Sequence, residues 1–338
     1  MPQLKPKSRR PTQYDVARHA GVSQTTVSHV LNNNMEISIP DETRQRIQNA
    51  MLELGYVPDR GARGLRTQKT YTIAAIIPDI TNPFYPSFIR GIQDIVEAND
   101  YDLISYNSDG IREKEVKCLN SCQQNRVDGI IAVLFYDYTD LLLDLGIPIV
   151  KLDPRPAGSH PFDILFTDGI EASRVITNYL IGKGYSPIAM IAGVPGTPAN
   201  LRMVGYKQAC QEHDIPVDEA LIKNGYYAER GGYEAMQDLL AQPRRPRAVF
   251  AANDLMAMGA MLAIREAGLR IPEDIAIAGF DDIPAARLIN PPLTTINQFQ
   301  ESLGRKAAEM LFERLCGNMA EEGRTVEAPF DLVLRDSA

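Results

Sequence analysis

Short apolar runs separated by segments long enough to form helices dominate residues 71–296 of this 338-residue chain. The runs form two series, 71–78, 101–107, 127–133 and 147–152, followed by 187–192, 247–251 and 275–280. Strands that alternate with helices form parallel sheets covered by helices on both faces. Two such series therefore predict an α/β body of two Rossmann-like lobes. The length of the chain also calls for more than one folding unit.

Composition and cysteine usage exclude several classes of protein. Hydrophobic residues make up 44% and charged residues 23%, and no apolar run approaches the 18 residues of a membrane span. The basic N-terminus lacks the apolar segment of a secretory signal, so we expect a cytoplasmic protein without a membrane partner. Cys118, Cys122, Cys210 and Cys316 are too scattered for a disulfide framework or zinc site. No metal or other cofactor is predicted.

Charge is distributed unevenly along the chain. The net charge is −8, yet residues 1–66 carry ten Lys or Arg and six Asp or Glu, a local charge of +4 that leaves −12 for the remainder. A basic head on an acidic body favours binding of a polyanion such as nucleic acid by the head. A merely solvated charged tail would have the same charge, so the residues themselves must decide.

The N-terminal sixty residues predict three short helices. Helical periodicity in the first run ends at Gly21, and Ser23 is suited to cap a second helix over 24–31. A third helix is predicted between Pro40 and Gly55. Helix, tight glycine turn and helix is the helix-turn-helix arrangement, although any small helical bundle has a similar pattern.

The second predicted helix has an outward face that can read DNA. In a helix-turn-helix head, this helix enters the major groove with its N-terminal residues at the base edges. Its outward residues are Gln24, Thr25, Ser28 and His29, all able to form hydrogen bonds. Gln can bond adenine twice, because its amide oxygen accepts and its amide NH2 group donates, and Thr can bond a base or contact a thymine methyl group.

Polar and aromatic side chains cluster just after the predicted strands of the body. Ligands of open α/β sheets bind beyond the C-terminal strand ends, which places a pocket in the cleft between two lobes. A sugar suits the mixture, because aromatic faces stack on its C–H surfaces while polar groups bond its hydroxyls. Any single polar residue here could instead only cap a helix. The residues are Asn82, Phe84, Tyr85, Asp153, Arg202, Tyr227, Asn253, Asp254, Asp281, Asp282 and Gln298.

Several motifs resemble the signature of the lactose-repressor (LacI/GalR) family. They are Tyr14-Asp15-Val16-Ala17, Ala20-Gly21-Val22-Ser23, Thr26-Val27-Ser28, Asn32, Thr43-Arg44 and Leu54-Gly55-Tyr56-Val57-Pro58. The resemblance runs nearly to the C-terminus and is greatest to the ribose- and purine-repressor branch, which shares His29. It implies a helix-turn-helix head (1–58), a hinge helix or linker (59–69) and an effector-binding body (70–338). The N-lobe would span about 70–167 and 297–327, and the C-lobe about 168–296 and 328–338.

The resemblance also implies how the head and hinge contact DNA. In the family, the hinge folds on operator DNA, where Leu65 would wedge into the minor groove beside the small Ala62. Arg60, Arg63 and Arg66 would lie on phosphates. Without the resemblance, the same segment is a plain flexible linker. The implied DNA-contacting residues are Thr12, Tyr14, Ser23, Gln24, Thr25, Thr26, Ser28, His29, Asn32, Tyr56, Arg60, Ala62, Arg63, Leu65 and Arg66.

For the body, the resemblance implies the periplasmic sugar-binding-protein fold. The residues that match ribose-holding positions are Asn82, Phe84, Tyr85, Asp153, Arg202, Tyr227, Asn253, Asp281 and Gln298. Two departures leave the identity of the sugar open: Pro154 follows Asp153 where ribose binders have Arg, and Tyr227 stands where Phe is usual. Gly196 and Pro198 occupy positions where a purine would need polar contacts.

These observations predict an all-α helix-turn-helix head plus an α/β periplasmic-binding-protein-like body, in a regulator of transcription. We expect a homodimeric repressor whose affinity for a near-palindromic operator is lowered by a monosaccharide, a ribose-like pentose or a hexose, between the lobes. Activation by a purine corepressor is the alternative. An enzyme is not predicted, because the four His residues are dispersed and the glycines at 182 and 184 fit a helix end. A transport receptor would lack the DNA-binding head.

Overall fold

The computed structural model describes residues 11–31, 37–57, 69–152, 161–194, 201–317 and 322–338. The chain divides into two compact units, residues 1–70 and 71–338. Several residues singled out from the sequence lie outside the described residues: Asn32, Arg60, Ala62, Arg63, Leu65, Arg66, Asp153, Pro154, Gly196 and Pro198.

The first unit contains the predicted helices α1 (Gln13–Ala20), α2 (Gln24–Leu31) and α3 (Asp41–Leu54). Local signals set their ends, as the sequence predicts. Thr12 and Asp15 form a reciprocal capping box at the start of α1, and Gly21 ends that helix in the left-handed conformation with φ of 66°. The residues that form the buried core of the unit are Val16, Ala17, Ala20, Val27, Ile47 and Ala50.

The second unit alternates strands and helices. Its strands are β1 (Thr72–Ile77), β2 (Asp102–Asn107), β3 (Gly129–Val133), β4 (Ile149–Leu152), β5 (Asp163–Thr167), β6 (Ile188–Ala192), β7 (Ile222–Asn224), β8 (Ala248–Ala251), β9 (Ala276–Ala278), β10 (Thr295–Asn297), β11 (Thr325–Ala328) and β12 (Asp331–Val333). Its helices are α4 (Phe84–Ala98), α5 (Arg112–Gln124), α6 (Thr139–Asp144), α7 (Gly169–Gly182), α8 (Leu201–Glu212), α9 (Glu229–Leu240), α10 (Asp254–Glu266) and α11 (Gln300–Leu315). Within the described ranges, no helix is long and apolar enough to cross a membrane.

Two parallel sheets give the second unit its two lobes, which confirms the predicted fold class. In the first lobe the strands pair in the order β11-β5-β4-β3-β1-β2, and in the second in the order β7-β6-β8-β9. Helices cover both faces of the first sheet, where they bury separate apolar cores. The antiparallel pair β10 and β12 packs on the second core through Ile296 and Leu332.

Strand β5 was not predicted from the apolar runs of the sequence, because it depends on contacts with distant parts of the chain. It begins with Asp163, which is completely buried, and a charged residue argues against a buried strand. Arg314 and Arg324 neutralise this carboxylate, with N–O distances of 2.6 and 2.7 Å. Both arginines come from the end of the chain, so only the tertiary fold makes the position tolerable.

Candidate functional site

A cavity of about 420 Å³ lies between the two lobes at the C-terminal ends of their strands. Its volume is within the range of small-molecule sites. The structure brings together every described residue that matches a ribose-holding position of the family. These cavity-lining residues are Asn82, Phe84, Tyr85, Arg202, Tyr227, Asn253, Asp281 and Gln298.

A buried polar group forms the second-lobe wall of the cavity. Gln298 donates a hydrogen bond from Nε2 to Oδ1 of Asp281 at 2.7 Å, and Nη2 of Arg202 lies 3.6 Å from the same oxygen. Burial raises the pKa of Asp281 to about 6, although Arg202 and the bond from Gln298 both oppose the shift. The wall therefore presents a carboxylate, an amide and a guanidinium within reach of one ligand.

Arg202 is held by groups other than its carboxylate partner. It lies in the first turn of α8, and its guanidinium carbon is 3.7 Å from the centre of the Phe280 ring. Its Nη1 donates to the backbone oxygen of Ala252. Stacking and this bond fix the plane of the guanidinium, so its orientation does not depend on a bound ligand.

Aromatic rings line the cavity from both lobes. Phe84 and Tyr85 begin α4 in the first lobe, with ring centres 5.1 Å apart in an edge-to-face arrangement. Tyr227 follows β7 in the second lobe. Burial raises the pKa of the Tyr85 phenol, and the Asp281 carboxylate adds to the shift. The phenol of Tyr85 is thus kept as a neutral hydroxyl that can donate or accept a hydrogen bond.

The two asparagines of the site also have structural roles. Oδ1 of Asn82 accepts a hydrogen bond from the backbone N–H of Phe84 at 3.1 Å. Asn253 caps α10 by accepting from the backbone N–H of Met256 at 2.9 Å, and its Nδ2 donates to the backbone oxygen of Tyr227 at 3.1 Å. Asn253 therefore ties the Tyr227 loop to α10, as well as lining the cavity.

The side chain of Asp254 lies behind the second-lobe wall of the cavity and is not part of that wall. Its Oδ1 accepts from Oγ1 of Thr295 at 2.6 Å, and its Oδ2 accepts from the backbone N–H of Ile283 at 2.8 Å. The side chain is completely buried and does not line the cavity. Burial and the nearby Asp281 carboxylate raise its pKa well above the usual range. Asp254 thereby supports the loop that carries Asp281.

Sequence reasoning missed several residues of the cavity wall. Asp79, Asp109 and Phe135 come just after β1, β2 and β3, while Phe166 lies at the end of β5 and Tyr226 just after β7. The signal was available, since each of these positions adjoins the C-terminal end of a strand, where such folds bind ligands.

In the first unit, the predicted DNA-contacting residues differ in their surroundings. Tyr14, Gln24 and Thr25 are exposed. The hydroxyls of Ser23 and Thr26 lie 2.8 Å apart, and Ser23 also accepts the backbone N–H of Thr26. Five predicted residues are partly buried: Thr12, Thr26, Ser28, His29 and Tyr56. Thr12 also forms the capping box. Tyr56 packs against the small core.

The arrangement suits recognition of a small molecule. Among the described residues, no group of three or more His, Cys, Asp or Glu is placed to hold a metal ion. The cavity combines neutral phenols, a guanidinium and a carboxylate beneath aromatic rings, a set that bonds hydroxyls while packing on apolar ring faces.

Comparison with known proteins matches both units. Residues 12–59 match the bacterial regulatory proteins of the lacI family, and residues 177–338 match the periplasmic binding protein-like domain. The chain is 38% identical over 329 residues to the HTH-type transcriptional repressor PurR of Pasteurella multocida (strain Pm70), which covers 96% of this chain and 97% of that protein. The chain belongs to the LacI family. The resemblance inferred from the sequence is confirmed.

Other LacI-family proteins match over similar lengths. The ribose operon repressor of Escherichia coli (strain K12) is 35% identical over 97% of this chain and 99% of its own. The lac repressor dimer bound to operator and the anti-inducer ONPF has a TM-score of 0.84 at 26% identity, covering 97% of this chain and 99% of that one. A LacI-family regulator from Enterococcus faecium with bound ribose has a TM-score of 0.72 at 31% identity, covering 79% and 98%. This LacI-family chain is therefore a DNA-binding transcriptional regulator, as the sequence predicted.

Proposed function

We propose that this LacI-family regulator is a repressor whose affinity for a near-palindromic operator falls when a monosaccharide binds between its lobes. The observation that carries the proposal is the buried group of Arg202, Asp281 and Gln298 beneath the aromatic side chains of the cavity. A polyhydroxylated ring gives each of these polar groups a partner and offers apolar faces to Tyr85 and Tyr227.

The DNA-binding part of the proposal rests on the first unit. Gln24 and Thr25 are exposed at the start of α2, where a recognition helix meets base edges. The hinge contacts of Arg60, Ala62, Arg63, Leu65 and Arg66 come from the family resemblance alone. A dimer is proposed because a near-palindromic operator has two-fold symmetry, and because one solved relative is a dimer on its operator.

A purine corepressor is a second candidate, and one observation favours it. The relative named PurR is 38% identical to this chain, against 35% for the ribose operon repressor. The two candidates predict opposite effects on operator affinity, because a sugar inducer weakens operator binding and a purine corepressor strengthens it.

We further propose that the protein acts in the cytoplasm, where the chromosome lies, and does not turn over its effector.

The deciding experiment uses the full-length protein and an operator selected from a random duplex library. Fluorescence anisotropy measures operator affinity with D-ribose, D-xylose, D-glucose, D-galactose, hypoxanthine or guanine. Weaker operator binding with one sugar supports the proposal. Tighter binding with a purine establishes the second candidate. Calorimetric binding of a sugar without any change in operator affinity would overturn the regulatory role of the cavity.

A further inference from the structure

Gly193 lies against the ring of Tyr227. A methyl group built on its Cα would be 2.0 Å from Cζ of Tyr227 and 2.3 Å from the phenol oxygen. Such distances are far below contact distance, so the ring occupies the space that a side chain at position 193 would fill. Gly193 itself does not line the cavity, whereas Tyr227 does. Tyr227 therefore lies against Gly193 and also lines the cavity.

The backbone of Tyr227 is anchored from several sides. Nδ2 of Asn253 donates to its carbonyl oxygen at 3.1 Å, and the preceding Gly225 donates its N–H to the carbonyl oxygen of Ala192 at 2.8 Å. Tyr226 and Tyr227 both have positive φ angles, 55° and 61°. Such angles persist in non-glycine residues only where the surroundings impose them. A group added behind the ring would therefore rotate the side chain rather than move the loop.

We infer that Gly193 is a specificity-determining position, whose missing side chain lets the Tyr227 phenol withdraw from the cavity and so sets the size of the ring that the cavity accepts. The inference rests on the proposed function, because it takes the cavity as the effector site. Gly193 acts through Tyr227 and is a positioning residue, since it does not itself reach the ligand. With any side chain at position 193, the phenol moves toward the ligand and narrows the cavity.

Other glycines of the second unit make contacts of a different kind. A methyl group on Gly205 would lie 2.1 Å from the backbone oxygen of Ile170, so it would force α7 and α8 apart. At Gly182 it would meet nothing within 4 Å. The collision at Gly193 is with the far end of a side chain, which moves at little cost to the fold. Gly193→Ala should thus alter binding while sparing stability.

The test is a double-mutant cycle on the full-length protein. Calorimetry measures the affinity of wild type, Gly193→Ala, Tyr227→Ala and the double variant for D-ribose, D-xylose, D-glucose and D-galactose. Gly193→Ala is expected to weaken binding of the preferred sugar by about tenfold, with a larger loss for hexoses than for pentoses. In the Tyr227→Ala background the same substitution is expected to have no effect, because the displaced ring is gone.

Two controls separate binding from folding. Gly182→Ala should leave every sugar affinity unchanged, and the melting temperature of Gly193→Ala without ligand should match that of the wild type. Equal loss from Gly193→Ala in both Tyr227 backgrounds, or no loss in either, overturns the inference while the proposed function stands. Failure of the wild type to bind any of the sugars overturns the proposed function and this inference together.

A crystal structure of Gly193→Ala covers the case in which Tyr227→Ala binds too weakly to measure. The Tyr227 ring is expected to be displaced into the cavity by at least the distance needed to restore ordinary contact with the new methyl group. A ring that stays in place while the backbone of residues 192–194 moves instead would overturn the inference.

Discussion

Nη2 of Arg202 lies 3.6 Å from Oδ1 of Asp281, while the guanidinium stacks 3.7 Å above the ring of Phe280. This distance is longer than a hydrogen bond, so the two charged groups attract each other without forming a direct hydrogen bond. Gln298 already occupies one position on the carboxylate. Both charged groups therefore keep hydrogen-bonding capacity for a ligand between them.

Asp281→Asn is expected to weaken effector binding by about tenfold to about a hundredfold. The substitution keeps the size of the side chain but removes the charge, and hydrogen bonds to charged groups are worth roughly 1.5–3 kcal/mol. Calorimetry with the preferred sugar measures the loss. Glu234→Gln is the control, because Glu234 pairs with Arg230 at 2.7 Å on the exposed surface and should not affect binding. Equal affinities for wild type and Asp281→Asn would remove Asp281 from the site.

Effector affinity is expected to rise with pH and to level off above about pH 6. The pKa of Asp281 is raised to about 6, so the carboxylate that accepts ligand hydroxyls forms only as the pH passes that value. The rise should vanish in Asp281→Asn. The free energy of unfolding has the opposite pH dependence. Because the pKa of Asp281 is higher in the folded than in the unfolded protein, its contribution to stability is present at low pH and is lost as the pH rises from about 4 to about 6. An affinity that falls over this range would contradict the assignment.

Asp254→Ala is expected to lower the free energy of unfolding by at least about 2 kcal/mol. The variant leaves the buried N–H of Ile283 and hydroxyl of Thr295 without their acceptor. Asp254→Asn keeps the size of the side chain and mimics the neutral acid that the raised pKa favours. The stability of Asp254→Asn relative to wild type should therefore increase with pH above about 4, because the wild type loses stability as its carboxyl ionises. Urea unfolding at several pH values measures both effects.

Gln24→Ala and Thr25→Ala are each expected to weaken binding to the selected operator by roughly 1–3 kcal/mol. Both side chains are exposed at the start of α2 and do not belong to the core of the head, and the proposed function places them at base edges. The loss should be confined to the preferred sequence and should leave the salt dependence unchanged. Gln45→Ala on α3 is the control, since Gln45 bonds Asn49 within that helix. A uniform loss on random DNA would indicate phosphate contacts instead.

Much of this architecture could be predicted from the amino-acid sequence alone. The seven apolar runs all became strands, and helix α2 begins directly after the predicted cap Ser23. Both signals are local, because burial periodicity and capping depend on residues a few positions apart. Strand β5 escaped the pattern, because the partners of Asp163 come from distant parts of the chain.

The candidate site, too, could be predicted only in part. The rule that ligands bind at strand ends correctly placed Asp281, Tyr227 and Arg202 in one site. It could not separate Asp281, which faces the cavity, from Asp254, which is buried behind it. Both follow apolar strands, and their different roles depend on which loops pack against them.

The sequence by itself determined seven of the strands, the helix-turn-helix head and the family, since these follow from periodicity, capping and motif. Only the tertiary structure decided which side chains share the cavity wall and what stands behind them. Gly193 and Tyr227 show the difference, because β6 and β7 pair side by side and bring the end of one strand against the loop after the other. Such a contact depends on sheet order and register, which no local pattern encodes.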